Sequence, residues 1–267
     1  MGRTVDLRMT GKRALVTGSS SGLGSAIAKA LAAEGAEVVV HGRDAARAEA
    51  VAKEIEADGG TAFVAIGDLG TDAGADEVAL AAGAVDVLVN NVGVFDMSKG
   101  WTDTTSADWA DLYNTNVISG VRMIQRLVPS MRERRWGRVV QISSVMAVMP
   151  LAVQPHYNAT NAARDNLSLS LARELRESGV TSNVVAPGGI LTPASKARLT
   201  AVGHANGLSG TWEEMEPEVV RAVAPNDIGR IARPEEIASA VAYLASPVAD
   251  FLTGITLRFD GNWYSAA

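Results

Sequence analysis

The stretch that decides the fold is Ala14-Leu15-Val16-Thr17-Gly18-Ser19-Ser20-Ser21-Gly22-Leu23-Gly24. Its first four residues form a short apolar run that predicts a buried strand, and the alanine-rich sequence after Gly24 predicts a helix. Glycines between a strand and a helix permit a tight turn and let the backbone approach a pyrophosphate, while the helix N-terminus offers N–H groups and a positive dipole end. Three glycines alone would be weak evidence. Their position between the first strand and the first helix predicts a dinucleotide-binding turn.

The rest of the chain alternates short β-branched runs with longer alanine-rich stretches. Near-continuously apolar strands separated by helices indicate a parallel sheet that is covered on both faces. We therefore predict an α/β fold, a single doubly wound Rossmann domain over residues 1–267 with a parallel sheet of about seven strands. The predicted strands are Arg13–Thr17, Glu37–His41, Ala62–Ile66, Val85–Asn90, Gly137–Ser143, Thr181–Ala186 and Thr256–Phe259. The predicted helices are Gly24–Glu34, Ala45–Ala57, Asp108–Arg134, Tyr157–Ser178 and Pro234–Ala245.

One segment, residues 192–230, departs from this alternation. It contains glycines, prolines and scattered apolar residues, and it follows the sixth predicted strand. Because ligands bind at the carboxyl edge of open α/β sheets, we predict that this insertion forms a lid over the substrate. The alternative is a surface excursion or a subunit contact.

Composition narrows the classes of function. The chain has 267 residues and a net charge of −6, so it lacks the basic balance that nucleic-acid binding requires. It contains no cysteine, which excludes disulfides, thiolate metal sites and cysteine nucleophiles. No run of about eighteen apolar residues occurs, and residues 1–11 carry charges without an apolar run, so we expect neither a membrane span nor a signal peptide. We expect a cytoplasmic protein. Glu213, Glu214 and Glu216 lack a histidine or aspartate partner and predict a solvated helix of the lid, not a metal site.

The end of the second predicted strand bears on the choice of dinucleotide. An NAD-binding protein normally has a carboxylate there, about 20 residues past the glycine turn, which holds the ribose 2′-hydroxyl. Gly42 occupies this place and Arg43 follows it, and a guanidinium suits a 2′-phosphate by charge and bidentate geometry. Asp44 is expected to cap the next helix, and His41 to stack on adenine or to lie partly exposed. We predict NADP in preference to NAD, although Ser21 gives the turn no basic side chain.

Several motifs together resemble the short-chain dehydrogenase/reductase family over essentially the whole chain. They are Thr17-Gly18-x-x-x-Gly22-x-Gly24, Asp68-Leu69, Asn90-Asn91-Val92-Gly93, Asn116, Ser144, Tyr157, Pro187-Gly188, Phe251-Leu252-Thr253-Gly254 and Asp260-Gly261. The resemblance implies a seven-stranded Rossmann sheet, a homotetramer and an oxidoreductase that uses a nicotinamide dinucleotide. Departures from the family pattern are Val92 for the usual alanine, Asn262 for the second glycine of the closing motif, and Asn161 for a lysine.

The resemblance also implies roles for individual residues. By analogy, Asp68 holds the adenine, Asn90 supports the central strand beside the cofactor, and the loop with Ile190 and Thr192 meets the nicotinamide carboxamide. The cofactor-binding residues that we expect from the turn and the resemblance are Gly18, Ser20, Ser21, Gly22, Leu23, Gly24, Arg43, Asp68, Leu69, Asn90, Val92, Gly93, Tyr157, Asn161, Pro187, Gly188, Ile190 and Thr192.

The candidate catalytic residues are Ser144, Tyr157, Asn116 and Asn161. Carbonyl reduction requires hydride from one side and a proton for the growing alkoxide from the other. Tyr157 can donate that proton, and Ser144 can hydrogen-bond the same oxygen. Tyr157 begins a predicted helix, so residue 161 lies one turn further on the same face. In the family a lysine at this position binds the ribose and stabilises the tyrosinate, whereas Asn161 carries no charge.

Loss of this charge is expected to weaken proton transfer. A unit charge about 4 Å away, at an effective dielectric constant of about 20, contributes up to roughly 4 kcal/mol. We therefore predict activity well below the family's, with alcohol oxidation most affected, unless another cation takes the lysine's place. A large gain in rate for Asn161→Lys would indicate the missing cation. His156 would point about 100° away from Tyr157 on a helix, and Arg164 is expected to face solvent or a subunit.

The predicted substrate is an apolar ketone or the corresponding secondary alcohol. The loop between Ser144 and Tyr157 is rich in valine and methionine, and Phe95 and Met97 lie in a neighbouring loop. Alternatively, these residues merely pack beneath the lid. Two classes of function stay open. One is an NADP-dependent carbonyl reductase with atypical proton transfer. The other is a nucleotide-binding protein of this fold that does non-redox work as a lyase, an isomerase or a regulator.

Overall fold

The chain folds around seven parallel strands in one sheet. A computed structural model describes residues 6–263. The strands are β1 (Arg13–Val16), β2 (Glu37–Gly42), β3 (Thr61–Ile66), β4 (Val87–Asn90), β5 (Gly137–Ile142), β6 (Val180–Pro187) and β7 (Thr256–Phe259). Their order across the sheet is β3-β2-β1-β4-β5-β6-β7, and every neighbouring pair is parallel. The predicted α/β fold with a doubly wound parallel sheet is confirmed.

Helices cover both faces of this sheet. Within residues 6–263 they are α1 (Gly22–Ala33), α2 (Ala45–Ala57), α3 (Asp72–Ala82), α4 (Ser106–Tyr113), α5 (Ser119–Glu133), α6 (Pro155–Glu174), α7 (Pro193–Ala205), α8 (Trp212–Val223) and α9 (Pro234–Ala245). The sequence did not predict α3, whose alanines and glycine carry a weak apolar pattern. Thr71 begins that helix because its side chain accepts a hydrogen bond from the Gly74 N–H.

The single helix predicted over residues 108–134 is in fact two helices. A π-helical turn over Asn114–Ile118 separates α4 from α5, and in it the Ser119 N–H bonds to the Asn114 oxygen, five residues back. Such a turn widens the helix locally and is common near functional sites. Here it carries the backbone of Asn116 to the carboxyl edge of the sheet.

The core consists of two apolar layers, one on each face of the sheet. Val38 and Val40 pack toward α1 and α9, whereas Val39 between them packs toward α3 and α5. Successive side chains of a strand point to opposite faces, so a strand buried on both faces is apolar at every position. Burial of each such side chain stabilises the fold by about 1.5–3 kcal/mol.

The order of the strands places a crevice at the carboxyl ends of β1 and β4. The chain runs outward from β1 to β3 on one side and then returns to β4 on the other, and ligands bind at this kind of reversal. None of the helices in the described residues is long and apolar enough to cross a membrane. The predicted absence of a signal peptide concerns residues 1–11, and residues 1–5 lie outside the described part.

Candidate active site

The turn after β1 forms a cradle for an anion. Gly24 packs so closely that a Cβ there would lie 2.4 Å from the Gly18 oxygen. Helix α1 begins at Gly22, whose φ of +58° favours glycine. The N-cap residue Ser21 makes no side-chain cap bond, so the first N–H groups of α1 stay available to a ligand. These features fit the pyrophosphate of a dinucleotide.

Two side chains outside the predicted set hold this turn. The His41 ring accepts a hydrogen bond from the Gly18 N–H at Nδ1 (2.9 Å), and its Nε2 lies 3.1 Å from the Gly67 oxygen. Asn91 Nδ2 donates to the Thr17 oxygen at 2.9 Å. His41 is only 2% exposed, so its prediction as an adenine-stacking or partly exposed residue is wrong. His41 lies near the end of β2 and Asn91 follows β4, the two strands that neighbour β1, and that position was the signal available in the sequence.

The contacts of His41 define its neutral form. A ring with the proton on Nε2 accepts from Gly18 and donates to Gly67, so both contacts are satisfied together. Burial lowers the pKa of His41 below its ordinary 6.5, and this effect exceeds the opposing influence of the Gly67 hydrogen bond. The neutral imidazole therefore anchors the glycine turn to β2 and to the end of β3.

The carboxyl end of β2 has no room for a side chain at residue 42. A Cβ on Gly42 would lie 2.7 Å from Ser20 Oγ, so the glycine lets the turn pack against the strand. Arg43 is exposed beside it. Asp44 caps α2, as predicted, by accepting a hydrogen bond from the Arg47 N–H at 3.2 Å. The end of β2 therefore presents the Arg43 guanidinium to solvent, while the neighbouring Asp44 carboxylate is hydrogen-bonded to the start of α2.

The other predicted cofactor residues lie along the same edge. Asp68 is exposed after β3, where its Oδ1 accepts from the Gly70 N–H at 2.9 Å, and Leu69 is buried beside it. Thr192 comes close to the glycine turn, with its Cγ2 3.7 Å from the position of a Cβ on Gly22. Ser20 and Leu23 belong to that turn and to α1. The remaining residues stand at or after the ends of β4 and β6: Asn90, Val92, Gly93, Pro187, Gly188 and Ile190.

A hydroxyl and a phenol come from β5 and α6 at this edge. Ser144 follows β5 and is buried, with its Oγ accepting from the Met146 N–H at 3.2 Å and lying 3.5 Å from the Pro187 oxygen. Tyr157 lies in the first turn of α6, half-buried, with its ring centroid 5.7 Å from that of Phe95. Proline at residue 155 suits the start of α6, because the first N–H groups of a helix have no partner within it.

The asparagines of the predicted site use their carboxamides on nearby backbone. Asn116 accepts from the Val94 N–H (2.8 Å) and donates to the Val94 oxygen (2.9 Å), which fixes the loop after β4. Asn161 donates to the Tyr157 carbonyl oxygen of its own helix at 2.8 Å. Asn90 donates to a backbone oxygen of α5 at 3.3 Å. These three side chains therefore bring hydrogen bonds, not charge, to the region of the phenol.

A cation reaches this region from an unexpected position. Arg164 of α6 is 7% exposed, and its guanidinium donates to the backbone oxygens of Val92, Asn116 and Ile142. The expectation that Arg164 faces solvent or a subunit is wrong. It follows Tyr157 by seven residues, nearly two full helical turns, so both side chains lie on one face of α6. That spacing was the signal that could have located Arg164 in the sequence.

Burial alters the ionisation of this arginine without removing its charge. Loss of solvent lowers the pKa of Arg164 from 12.5 to about 10, while Tyr157 and Asp165 act in the opposite direction. A pKa of about 10 leaves the guanidinium protonated near neutral pH. His156, the other basic candidate, is buried with its ring 5.9 Å from that of Trp109.

Residues 192–230 contain α7 and α8, which share a small apolar core with the segment that follows them. Glu216, predicted on a solvated helix, is buried instead. Both nitrogens of the Arg233 fork donate to its carboxylate (2.8 and 2.9 Å), and so does the Ile231 N–H (3.1 Å). Burial raises the pKa of Glu216, but these hydrogen bonds outweigh it and hold the pKa below its usual value. Among residues 6–263 no cluster of acidic and histidine side chains is arranged to hold a metal ion.

Helix α7 also contacts the loop that borders the phenol. The Arg198 guanidinium stands 5.4 Å from the centre of the Phe95 ring, and its Nη1 lies 2.9 Å from Met97 Sδ. Since Phe95 packs on Tyr157, Arg198 of α7 contacts a ring that in turn contacts the phenol.

Comparisons with known proteins agree with this geometry. Residues 12–202 match the family model for short chain dehydrogenases. The uncharacterized oxidoreductase YvaG of Bacillus subtilis (strain 168) is 38% identical over 259 residues, which are 96% of this chain and 97% of that protein. The 3-oxoacyl-(acyl-carrier-protein) reductase FabG of Vibrio cholerae is 34% identical over 259 residues, 97% of this chain and 99% of that protein.

Among solved structures, L-sorbose reductase from Gluconobacter frateurii, complexed with NADPH and L-sorbose, has a TM-score of 0.89 at 33% identity. The alignment covers 97% of this chain and 98% of the reductase. The seven-stranded sheet, the glycine turn and these matches over nearly the whole chain show that the protein belongs to the short-chain dehydrogenase family of oxidoreductases.

Proposed function

We propose that this protein is an NADPH-dependent carbonyl reductase with atypical proton transfer. The observation that carries the proposal is that Ser144 and Tyr157 stand at the same sheet edge as the glycine turn. The turn suits a dinucleotide pyrophosphate, and a hydroxyl beside a phenol suits a carbonyl oxygen that gains charge. This combination at one edge of the sheet supports carbonyl reduction as the function.

In this proposal the chain's own residues supply the proton and hold the substrate oxygen. NADPH supplies the hydride when it is bound. The Tyr157 phenol donates a proton to the carbonyl oxygen, and the Ser144 hydroxyl donates a hydrogen bond to the same oxygen. Asn116 fixes Val94 and thereby holds the following Phe95 against the phenol. Proton transfer is atypical because residue 161 is neutral and its amide is bonded to its own helix.

The end of β2 supports NADP in preference to NAD. Gly42 leaves no space for the carboxylate that would hold a ribose 2′-hydroxyl, since Ser20 packs against it. Arg43 is exposed at the same point and can bind a 2′-phosphate with both arms of its fork. In addition, the related L-sorbose reductase is complexed with NADPH. We assign the 2′-phosphate to Arg43, the pyrophosphate to the N–H groups at the start of α1, and the adenine to the region of Asp68.

We propose an apolar ketone or secondary alcohol as the substrate. Phe95, Met97, Val148, Leu151 and Val153 are all substantially exposed, although each is apolar. Large apolar side chains that stay exposed commonly mark a ligand site when they lie together, and we propose that these five line one. In this proposal α7 and α8 form the lid that closes over them, with Arg198 as its contact to the loop after β4.

The test is consumption of NADPH with a panel of ketones that differ in polarity. We expect apolar ketones to be reduced, Tyr157→Phe to lose nearly all activity, and Ser144→Ala to lose about 100-fold or more, as for removal of one donor to a developing oxyanion. Tight NADPH binding without turnover of any ketone would count against a reductase. Homotetrameric assembly stays a proposal from the resemblance, and a cytoplasmic location stays a proposal from the sequence. Light scattering on the purified chain tests the assembly.

A further inference from the structure

A cavity of about 620 Å³ lies at the amino edge of the sheet. Its wall is formed by the turn before β5, the first residues of β5 and β6, the end of α6 and the segment 250–254. Because the strands are parallel, this edge is opposite to the one that holds the glycine turn and the phenol. Among the described residues of the wall, none belongs to the predicted catalytic or cofactor-binding set. Small-molecule sites commonly measure about 300–1,000 Å³, so the cavity is large enough for a ligand.

The wall of this cavity carries an excess of positive charge. It contains four arginines and two carboxylates, although the whole chain has a net charge of −6. The six residues are Arg135, Arg138, Arg173, Arg176, Glu177 and Asp250. Arg138 pairs with Asp250, but within residues 6–263 no ion pair includes any of the other three arginines, which are all exposed. Cations that line one cleft focus a positive potential, which attracts anions.

Arg138 is the buried cation of this wall. It is 1% exposed, and its guanidinium carbon lies 4.3 Å from the centre of the Trp136 ring. Lys12 Nζ lies 3.8 Å from the centre of the same ring and adds a further positive charge. Burial lowers the pKa of Arg138 from 12.5 to about 10, so the guanidinium stays charged near neutral pH. Its partner Asp250 is 65% exposed, so water screens the negative charge of that carboxylate.

A buried hydroxyl completes the set of donors. Thr181 of β6 is paired with Arg138 of β5 in the register of the sheet, so both side chains point to the same face. Thr181 lines the cavity and is 7% exposed, and its Oγ1 is buried without a hydrogen-bond partner in the described part of the chain. Buried polar groups are normally hydrogen-bonded, and each exception calls for an explanation. A ligand that accepts a hydrogen bond from this hydroxyl would provide one.

We propose that this cavity binds a small phosphate-bearing anion, at a site separate from the coenzyme crevice. A guanidinium binds phosphate oxygens through two parallel N–H bonds, and a hydroxyl donates to a further oxygen. A phosphate group has three accepting oxygens, so it can use donors that come from α6, β6 and the turn before β5 together. The exposed arginines supply the charge, and Thr181 supplies the neutral donor. The proposal does not depend on the reductase function.

The test is calorimetric titration of the full-length chain with inorganic pyrophosphate and, separately, with ribose 5-phosphate. Both titrations are done at saturating NADPH, which keeps the glycine turn from taking up the probe. We expect saturable binding, and the tighter of the two probes distinguishes an inorganic from an organic phosphate. Arg173→Gln/Arg176→Gln should weaken binding about 10-fold or more. Thr181→Val should weaken it about 3- to 10-fold without lowering the Tm, because the hydroxyl has no partner within the described chain to lose.

Lys53→Gln/Arg221→Gln is the matched control, because it removes two exposed positive charges from α2 and α8, outside the cavity. It should bind the probes as the parent does. Three results would overturn the proposal: no saturable binding of either probe, an unchanged affinity in Arg173→Gln/Arg176→Gln, or an equal loss in the control. The last result would indicate attraction by net charge alone. None of these titrations requires turnover, so they succeed or fail independently of the ketone assay that tests the reductase.

Discussion

Asn161→Lys is the substitution for which the sequence and the structure predict opposite results. From the sequence alone it should raise the rate, because it restores a lysine that the family uses. In the structure, the new ammonium would enter a region that already holds the Arg164 guanidinium. We therefore expect no gain in rate and a loss of stability.

The magnitude follows from helix geometry. Side chains three residues apart on a helix have Cβ atoms about 5–6 Å apart. If the two charged groups also lie about 5 Å apart, they repel each other by roughly 3 kcal/mol at an effective dielectric constant of about 20. Asn161 and Arg164 are 2% and 7% exposed, so water screens this repulsion little. Loss of the hydrogen bond from Asn161 to the Tyr157 oxygen costs about 1 kcal/mol more. We expect the free energy of unfolding to fall by about 3–4 kcal/mol.

Urea denaturation and NADPH-dependent ketone reduction measure the two effects. Asn161→Met is the matched control, since it removes the amide without adding a charge. Asn161→Lys/Arg164→Leu completes a double-mutant cycle, whose coupling energy isolates the repulsion between the two charges. A several-fold rise in kcat for Asn161→Lys at unchanged stability would refute this reasoning, because the pocket would then have lacked a cation.

Three further predictions concern the coenzyme, the turn and the lid. Arg43→Ala should weaken NADPH binding about 10- to 150-fold, which corresponds to the loss of about 1.5–3 kcal/mol for a charged hydrogen bond. The affinity for NADH should stay unchanged. Equal losses of affinity for the two coenzymes in fluorescence titrations would contradict this assignment. The folded-state pKa of His41 lies below 6.5, so the unfolded chain takes up the proton first. Stability should therefore be full above about pH 6.5 and decrease as the pH falls below it, and His41→Gln should flatten that dependence in thermal unfolding scans. Glu216→Gln should lower the free energy of unfolding by about 1–3 kcal/mol, which is less than for a fully buried ion pair because Arg233 is 35% exposed. It should also speed proteolysis of residues 192–230. An unchanged Tm and an unchanged rate of cleavage would contradict a role of the Glu216–Arg233 pair in holding this segment.

Sequence alone was sufficient for the sheet and for the dinucleotide turn. All seven predicted strands are present, because strands buried on both faces must be apolar at nearly every position and that pattern is local. The glycines at 18, 22 and 24 were equally readable, since a positive φ favours glycine at the first two and the close approach of the Gly18 backbone leaves no room for a side chain at the third. The sequence did not reveal α3, because its apolar pattern is weak. It did not reveal the π turn either, because the hydrogen-bond pattern of such a turn leaves no distinct mark in the amino-acid composition.

Tertiary structure decided which polar side chains serve the site. His41, Asn91 and Glu216 became anchors only because strands and helices distant in the chain bring the partners of these side chains within hydrogen-bond distance. The absence of lysine at residue 161 was visible in the sequence. That a guanidinium from residue 164 lies among the carbonyl oxygens of three other segments was not, because those oxygens surround it only once β4, β5 and the π turn have packed against α6.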